Sequence, residues 1–291
     1  MMGKGMGRTA IMVAVLILAA GCATTGGRGD AALEAEIDTL LAEARSAAQA
    51  GEHGQAAFYY REILEQDDAH PDALAGMGRV ALGRGDTEAA ETLFSRALAV
   101  APERSDALEG RGLARLRLGR VDEAASDLEA AVTQDPVRWA AWNGRGVIAD
   151  LAGEHEAAAG HYREALEVVP GNPPVLNNLG YSLIMAGAYG EAIEALRSGL
   201  RSAPDHPRLS NNLGLALAWQ GRYEEALEVM EPVVGGAEAA NNVGYIALLS
   251  GDGQAALRYF DRALELHPRH YVLADQNRRR AVRMMAAEAG G

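Results

Sequence analysis

The sequence predicts an all-α chain, a superhelical solenoid of about seven helix-turn-helix units closed by a C-terminal capping helix, and three observations carry that prediction. Small residues recur every 34 positions. The eighth place of a unit reads Ala44, Gly78, Gly112, Gly146, Gly180 and Gly214; the fifteenth reads Gly51, Gly85, Gly119, Gly153, Gly187 and Gly221; the twentieth reads Ala56, Ala90, Ala124, Ala158, Ala192 and Ala226. After a break of four residues the series resumes as Gly244, Gly251, Ala256 and Pro268. Within the unit Pro173–His206, large apolar residues fall at helical spacing twice over, as Leu176, Leu179, Leu183 and Ile184 and then as Ile193, Leu196 and Leu200, so each half presents one stripe to a core. Punctuation separates the halves: the fifteenth-place glycine suits a left-handed helix end, and Pro204 cannot continue a hydrogen-bonded ladder.

A glycine inside a helix costs about 1 kcal/mol relative to alanine. Close approach of a neighbouring helix is the expected compensation, and the constant alanine at the twentieth place points to the same contact from the facing helix. A larger side chain there should overpack, at about 1 to 3 kcal/mol. Helices of about 14 residues are marginal alone in water, so the units must stack. The pattern G-x6-G-x4-A…P, with Phe94, Trp142, Tyr162 and Phe260 at large-residue places, resembles the tetratricopeptide repeat. The resemblance implies a right-handed superhelix, concave on the face of the first helices. Seven repeats are expected, at 37–70, 71–104, 105–138, 139–172, 173–206, 207–236 and 237–270, with 271–291 as capping helix and tail.

Ahead of the repeats, residues 1–21 read as a targeting segment. Lys4 and Arg8 give a positive start, and Ile11 to Ala20 form an apolar run too short to span a bilayer. The run ends as Ala19-Ala20-Gly21-Cys22, at the only cysteine in the chain. That resembles a bacterial lipobox, which implies cleavage before Cys22 and a lipid on its thiol. Cys22 has no disulfide partner within the chain. Ala23, rather than aspartate, follows it, and by the same resemblance the anchor belongs at the outer membrane, facing the periplasm. Residues 22–36 are expected to be the lipidated cysteine and a flexible tether. The chain carries 27 basic and 40 acidic residues, and loss of Lys4 and Arg8 would take its formal net charge from −13 to −15. So acidic a body has no electrostatic reason to bind nucleic acid or anionic lipid, and membrane attachment falls to acyl chains.

Along the array, repeat one is the least regular, with Ala44 in place of the glycine and Asp68 in place of the proline. Repeat six meets Pro232 inside its second helix, so that helix should be short and end near Glu231. Tyr271 to about Ala287 supplies a final helix with Arg278, Arg279, Arg280 and Arg283 on a basic face. It reads either as a solvating cap or as a docking patch for an acidic partner.

No catalytic constellation is present. The seven histidines lie mostly in turns, His155 and His161 are too far apart in register to share a helical face, and there is no H-E-x-x-H, Walker or G-x-S-x-G sequence. The reading is therefore a non-enzyme without metal or cofactor, apart from the covalent lipid on Cys22. The informative residues are those of the first helices. Repeats five to seven carry Asn177-Asn178, Asn211-Asn212 and Asn241-Asn242 at places five and six, Tyr181, Leu215 and Tyr245 at place nine, and Met185, Trp219 and Leu249 at place thirteen. These places share a broad helical face. Amides there can pair with a peptide backbone without demanding a sequence, and the aromatic and thioether groups add apolar contact. A peptide-binding groove is one reading; asparagines that bond neighbouring helices are the other. Repeats two to four differ, with Gly76, Gly110 and Gly144 at the sixth place and charge from Arg79, Glu109, Arg117 and Asp150. The lysine and arginine set of the chaperone-type carboxylate clamp is absent.

Runs around Trp142-Asn143-Gly144-Arg145-Gly146 and Leu209-Ser210-Asn211-Asn212-Leu213-Gly214, followed by the shortened Glu228-Val229-Met230-Glu231-Pro232, resemble the TadD lipoproteins of tight-adherence (Flp) pilus assembly. That resemblance implies a protein partner such as a secretin or another pilus-assembly component. A type IV pilus pilotin and an NlpI-like adaptor for peptidoglycan hydrolases are the alternative readings.

Overall fold

The computed structural model describes residues 31–267, 269 and 271–289, and every regular element among them is a helix. They fall into two compact units, the first ending at Leu118 and the second beginning at Gly119. The first unit holds α1 (31–49), α2 (His53–Gln66), α3 (Pro71–Arg84), α4 (Thr87–Val100) and α5 (Ser105–Arg117). The second opens with α6 (Val121–Gln134), α7 (Trp139–Leu151), α8 (His155–Val168), α9 (Pro173–Met185) and α10 (Tyr189–Ser202). It continues with α11 (Pro207–Trp219), α12 (Tyr223–Val234), α13 (Gly236–Leu249), α14 (Gly253–Leu266) and α15 (Val272–Ala289). Consecutive helices pack on one another from α2 to α5 and from α6 to α15, and Ile37, Leu41, Ala44 and Ala47 of α1 share a core cluster with Ala56, Tyr60 and Ile63 of α2. In the second unit, the first helices α7, α9, α11, α13 and α15 also touch in series, forming one layer backed by the second helices.

The repeat marks do what their spacing requires. All seven fifteenth-place glycines have positive φ, from 75° at Gly221 to 89° at Gly85, the region an L side chain rarely adopts. The twentieth-place alanines are fully buried. The eighth-place glycines face the second helix so closely that a Cβ on Gly214 would lie 2.1 Å from the Met230 side chain and 3.1 Å from the Ala226 carbonyl oxygen. On Gly244 it would lie 2.9 Å from the Phe260 ring and 3.2 Å from the Ala256 carbonyl oxygen. Eighth place, twentieth place and the bulky residue at the twenty-fourth are thus one contact. The sixth-place glycines have the same kind of partner one repeat earlier: a Cβ on Gly76 or Gly110 would lie 2.2 Å from the ring of Tyr60 or Phe94 respectively.

Helix starts explain three boundary residues. His70, Asn172 and His206 each precede a proline at the first helical turn, and their side chains accept from the backbone N–H of Ala73, Val175 and Leu209 at 3.5, 3.3 and 3.3 Å. They satisfy donors that a helix start leaves without an intrahelical partner.

Two expectations are corrected. Residues 31–36, placed with the tether, are already helical. And α12 does not stop near Glu231 but runs through Pro232 to Val234. The missing proline N–H would have paired with the carbonyl of Glu228, an exposed residue, where water can take its place, and the last turn still closes with Gly235 N–H donating to Glu231 O at 3.0 Å. Repeat six is shortened mainly in the connection: a single residue, Gly235 at φ 89° and ψ 151°, joins α12 to α13, whereas four residues, Ala203 to His206, join α10 to α11. The final helix matches its expected span within two residues. The segment 1–30 with Cys22, and the repeat marks Pro268 and His270, lie outside the described residues.

Candidate functional site: the first-helix face

In the second unit the asparagines form a ladder. Asn178 Nδ2 donates to Asn143 Oδ1 at 3.1 Å, and Asn212 Nδ2 donates to Asn177 Oδ1 at 3.1 Å. Each rung joins a sixth place to the fifth place of the repeat before. The next pair, Asn211 and Asn242, is half-buried and makes no side-chain hydrogen bond among the described residues, although its neighbours do. This missing rung spans the shortened repeat. The ladder resumes on the last helix, where Asn277 Nδ2 donates to the buried Asn241 Oδ1 at 3.0 Å. Of the predicted groove residues, Tyr181 and Met185 are exposed at 45% and 51%, and so is Leu249 beside them at 46%. Tyr245 is half-buried. Trp219 is half-buried too, with one face stacked on Tyr189 at 5.5 Å and an interplanar angle of 1°.

Sequence reasoning missed the ladder partners Asn143 and Asn277. Asn277 escapes a strict 34-residue comparison because α15 is shifted by one position, its asparagine standing 36 residues after Asn241 rather than 35 as in the other rungs.

Asp150, expected to bring charge to this face, is turned inward as an acceptor. Tyr162 OH donates to it at 2.9 Å, the Ser182 hydroxyl lies 2.6 and 2.7 Å from its two oxygens, and His155 Nδ1 is 3.0 Å away. Burial first, then the Asp150 hydrogen bond and charge, push the Tyr162 phenol well above its ordinary range. The residue types are those of a Ser-His-Asp triad, but serine and histidine both bond the carboxylate and not each other, so no nucleophile is activated. His161 stacks on Trp142 at 5.8 Å, and the Arg145 guanidinium lies 4.9 Å from the Trp142 ring centroid. Burial, then the Arg145 charge, lower the His161 pKa. Arg145 also pairs with Glu129 at 2.5 Å, beside a cavity of about 310 Å³ walled by α6, α7 and α8. Among the described residues no group of three or more His, Cys, Asp or Glu is placed to hold a metal ion, and no helix is long and apolar enough to cross a membrane.

The first unit joins its first helices by ion pairs instead. Arg45 meets Asp72 at 2.6 Å, Arg104 meets Asp72 at 2.9 Å and Asp106 at 2.6 Å, and Arg79 meets Asp106 at 2.9 Å. The arginines at place nine thus bond the aspartate at place two of the following repeat, with Arg104 bridging. Burial works against ionisation of Asp72 and Asp106, but hydrogen bonds and charge from Arg104 and its companions outweigh it and hold both carboxyls below their ordinary value. The same carboxylates hold the Arg104 guanidinium above its ordinary range, against the effect of burial. Arg117, also expected on this face, donates to the Leu82 carbonyl at 2.9 Å.

Family models described as tetratricopeptide repeat match residues 41–99, 75–136, 111–173, 151–211 and 183–237. The chain belongs to the tetratricopeptide-repeat proteins, whose architecture is that of a protein–protein interaction adaptor. A comparison with curated proteins returned no match. Among solved structures, it is similar to the APC/C hetero-tetramer Cut9–Hcn1, with 17% identity and TM-score 0.59, covering 84% of this chain and 49% of that one. It is also similar to YrrB, described as a TPR protein with an unusual peptide-binding site, at 19% identity and TM-score 0.54 over 64% of this chain and 97% of that one. PilF of Pseudomonas aeruginosa is a third, at 22% identity and TM-score 0.54 over 73% of this chain and 97% of that one. These likenesses are of fold.

Proposed function

We propose that this chain is a lipid-anchored adaptor on the periplasmic face of the outer membrane, holding protein segments on its first-helix face and assisting secretin and pilus assembly in a tight-adherence (Flp) system. The observation that carries the binding part is the exposed Tyr181 and Met185 beside asparagines on the second unit's first helices. Large apolar groups left uncovered next to amides are what an extended segment requires of a surface. YrrB, with its described peptide-binding site, supports that use of the fold. The anchor rests on the lipobox-like run ending at Cys22, and the pilus assignment on the resemblance of the runs at Trp142 and Leu209 to TadD lipoproteins. No enzymatic step enters this reading.

Mass spectrometry of what co-purifies with the tagged full-length protein from mildly solubilised outer membranes tests it. A secretin with other tight-adherence components is the expected result; peptidoglycan hydrolases instead would replace the pilus role with a cell-wall one. Cys22→Ser should leave the protein uncleaved or unlipidated and off the outer membrane, and unchanged fractionation would sink the anchor.

A further inference from the structure

We infer, on the basis of that reading, that the unmade rung between Asn211 and Asn242 is the backbone anchor for the bound segment, and that Arg280 on α15 receives an acidic side chain of the same segment. Three rungs of the ladder use their amides on one another; this pair, at the repeat shortened by the single-residue Gly235 connection, does not. Their amide atoms are open to water and so reachable by a ligand, and a peptide group offers both a donor and an acceptor to them.

The Asn277–Asn241 bond sets the register of α15, placing Asn277 where Asn178 and Asn212 stand on their helices. Counted from it, the ninth place, which reads Tyr181, Leu215 and Tyr245 on the earlier helices, is Arg280, and the thirteenth is Met284. Met284 is exposed at 38%, and Arg280 and its neighbour Arg283 are exposed and form no ion pair among the described residues, unlike Arg278 and Arg279, which pair with Asp261 and Asp275. The final helix therefore continues the binding face as well as ending the array. On a chain of net charge −13, an unpaired arginine at the end of a neutral lane is the place where an acidic group is favoured, and it fixes the direction in which a segment lies. Packed helices stand about 8 to 10 Å apart and an extended chain rises about 3.3 Å per residue. The acidic residue should thus follow or precede the anchored peptide group by about three residues.

Selection of a phage-displayed random twelve-residue library, fused through its C-terminus, on the immobilised full-length chain tests this. Enriched peptides should share an Asp or Glu at a fixed place in the motif, and selection on Arg280→Glu/Arg283→Glu should favour Lys or Arg there instead. Asn211→Ala/Asn242→Ala should weaken the best peptide about tenfold with the melting temperature unchanged, because those amides hold nothing in the folded chain. Enriched peptides without an acidic preference, or binding indifferent to the asparagine pair, would overturn the inference while leaving a peptide-binding face. No enrichment, or binding unaffected by alanine at Tyr181 and Met185, would overturn the binding reading itself along with it.

Discussion

The ninth place of the repeat is arginine at Arg45 and Arg79 in the first unit and tyrosine at Tyr181 and Tyr245 in the second, on helices that each end at a positive-φ glycine. In the first unit those arginines close a chain of ion pairs through Asp72, Arg104 and Asp106, and the sixth-place glycines receive the rings of Tyr60 and Phe94. In the second the sixth place is asparagine from Asn178 onward, the ladder is polar but neutral, and large apolar groups stand uncovered. One scaffold thus serves two ends: in the first unit the face is spent on holding the unit together, and in the second part of it is left open. The difference lies in places two, six and nine, while places fifteen and twenty stay constant and place eight stays small because they make the helix pair itself.

The largest expected effect comes from removing what the glycines fit against. Phe94→Ala empties a fully buried site between Gly78 and Gly110 and should cost about 3 to 5 kcal/mol, read as a fall in the midpoint of chemical denaturation. Gly76→Asn carries the second unit's sixth-place residue into the first, where its Cβ would lie 2.2 Å from the Tyr60 ring. A loss of about 1 to 3 kcal/mol is expected, and an unchanged midpoint would mean that the two faces are interchangeable.

Arg104→Met leaves Asp72 and Asp106 without their bridge. Both are partly exposed, so screening limits the loss to about 1 kcal/mol at neutral pH. The pH dependence has a fixed sign: carboxyls held below their ordinary value of 3.8 contribute stability that is fully present above it and is lost as pH falls through the lowered folded value. The parent chain should therefore lose more stability than Arg104→Met does on acidification below that value. Parallel losses would show that the ion-pair chain contributes nothing. The smallest effect is that of a single rung: Asn212→Ala should cost about 1 kcal/mol and Asn211→Ala none, by thermal melting followed by circular dichroism.

The helix pair was legible in the sequence because its marks are local. Gly187 ends a helix, Ala192 admits its neighbour, and both recur at a fixed distance. What escaped depends on residues a whole repeat apart. The sixth-place glycines read as missing asparagines until the rings of Tyr60 and Phe94 occupy the space above them. Asp150 reads as surface charge until Tyr162 and Ser182 close on it from two other helices. Pro232 reads as a stop, yet the carbonyl it deprives belongs to exposed Glu228, so the helix passes through. The one-position shift that brings Asn277 to Asn241 is set by how α15 packs, and no fixed period contains it.

The most direct test replaces the ninth-place residue with a photo-crosslinking amino acid in living cells, at Tyr181 and Tyr245 in the second unit and at Arg45 and Arg79 in the first. Adducts to a protein partner are expected from Tyr181 and Tyr245 and none from Arg45 or Arg79. Adducts from the first-unit positions alone, or from none of the four, would contradict that expectation.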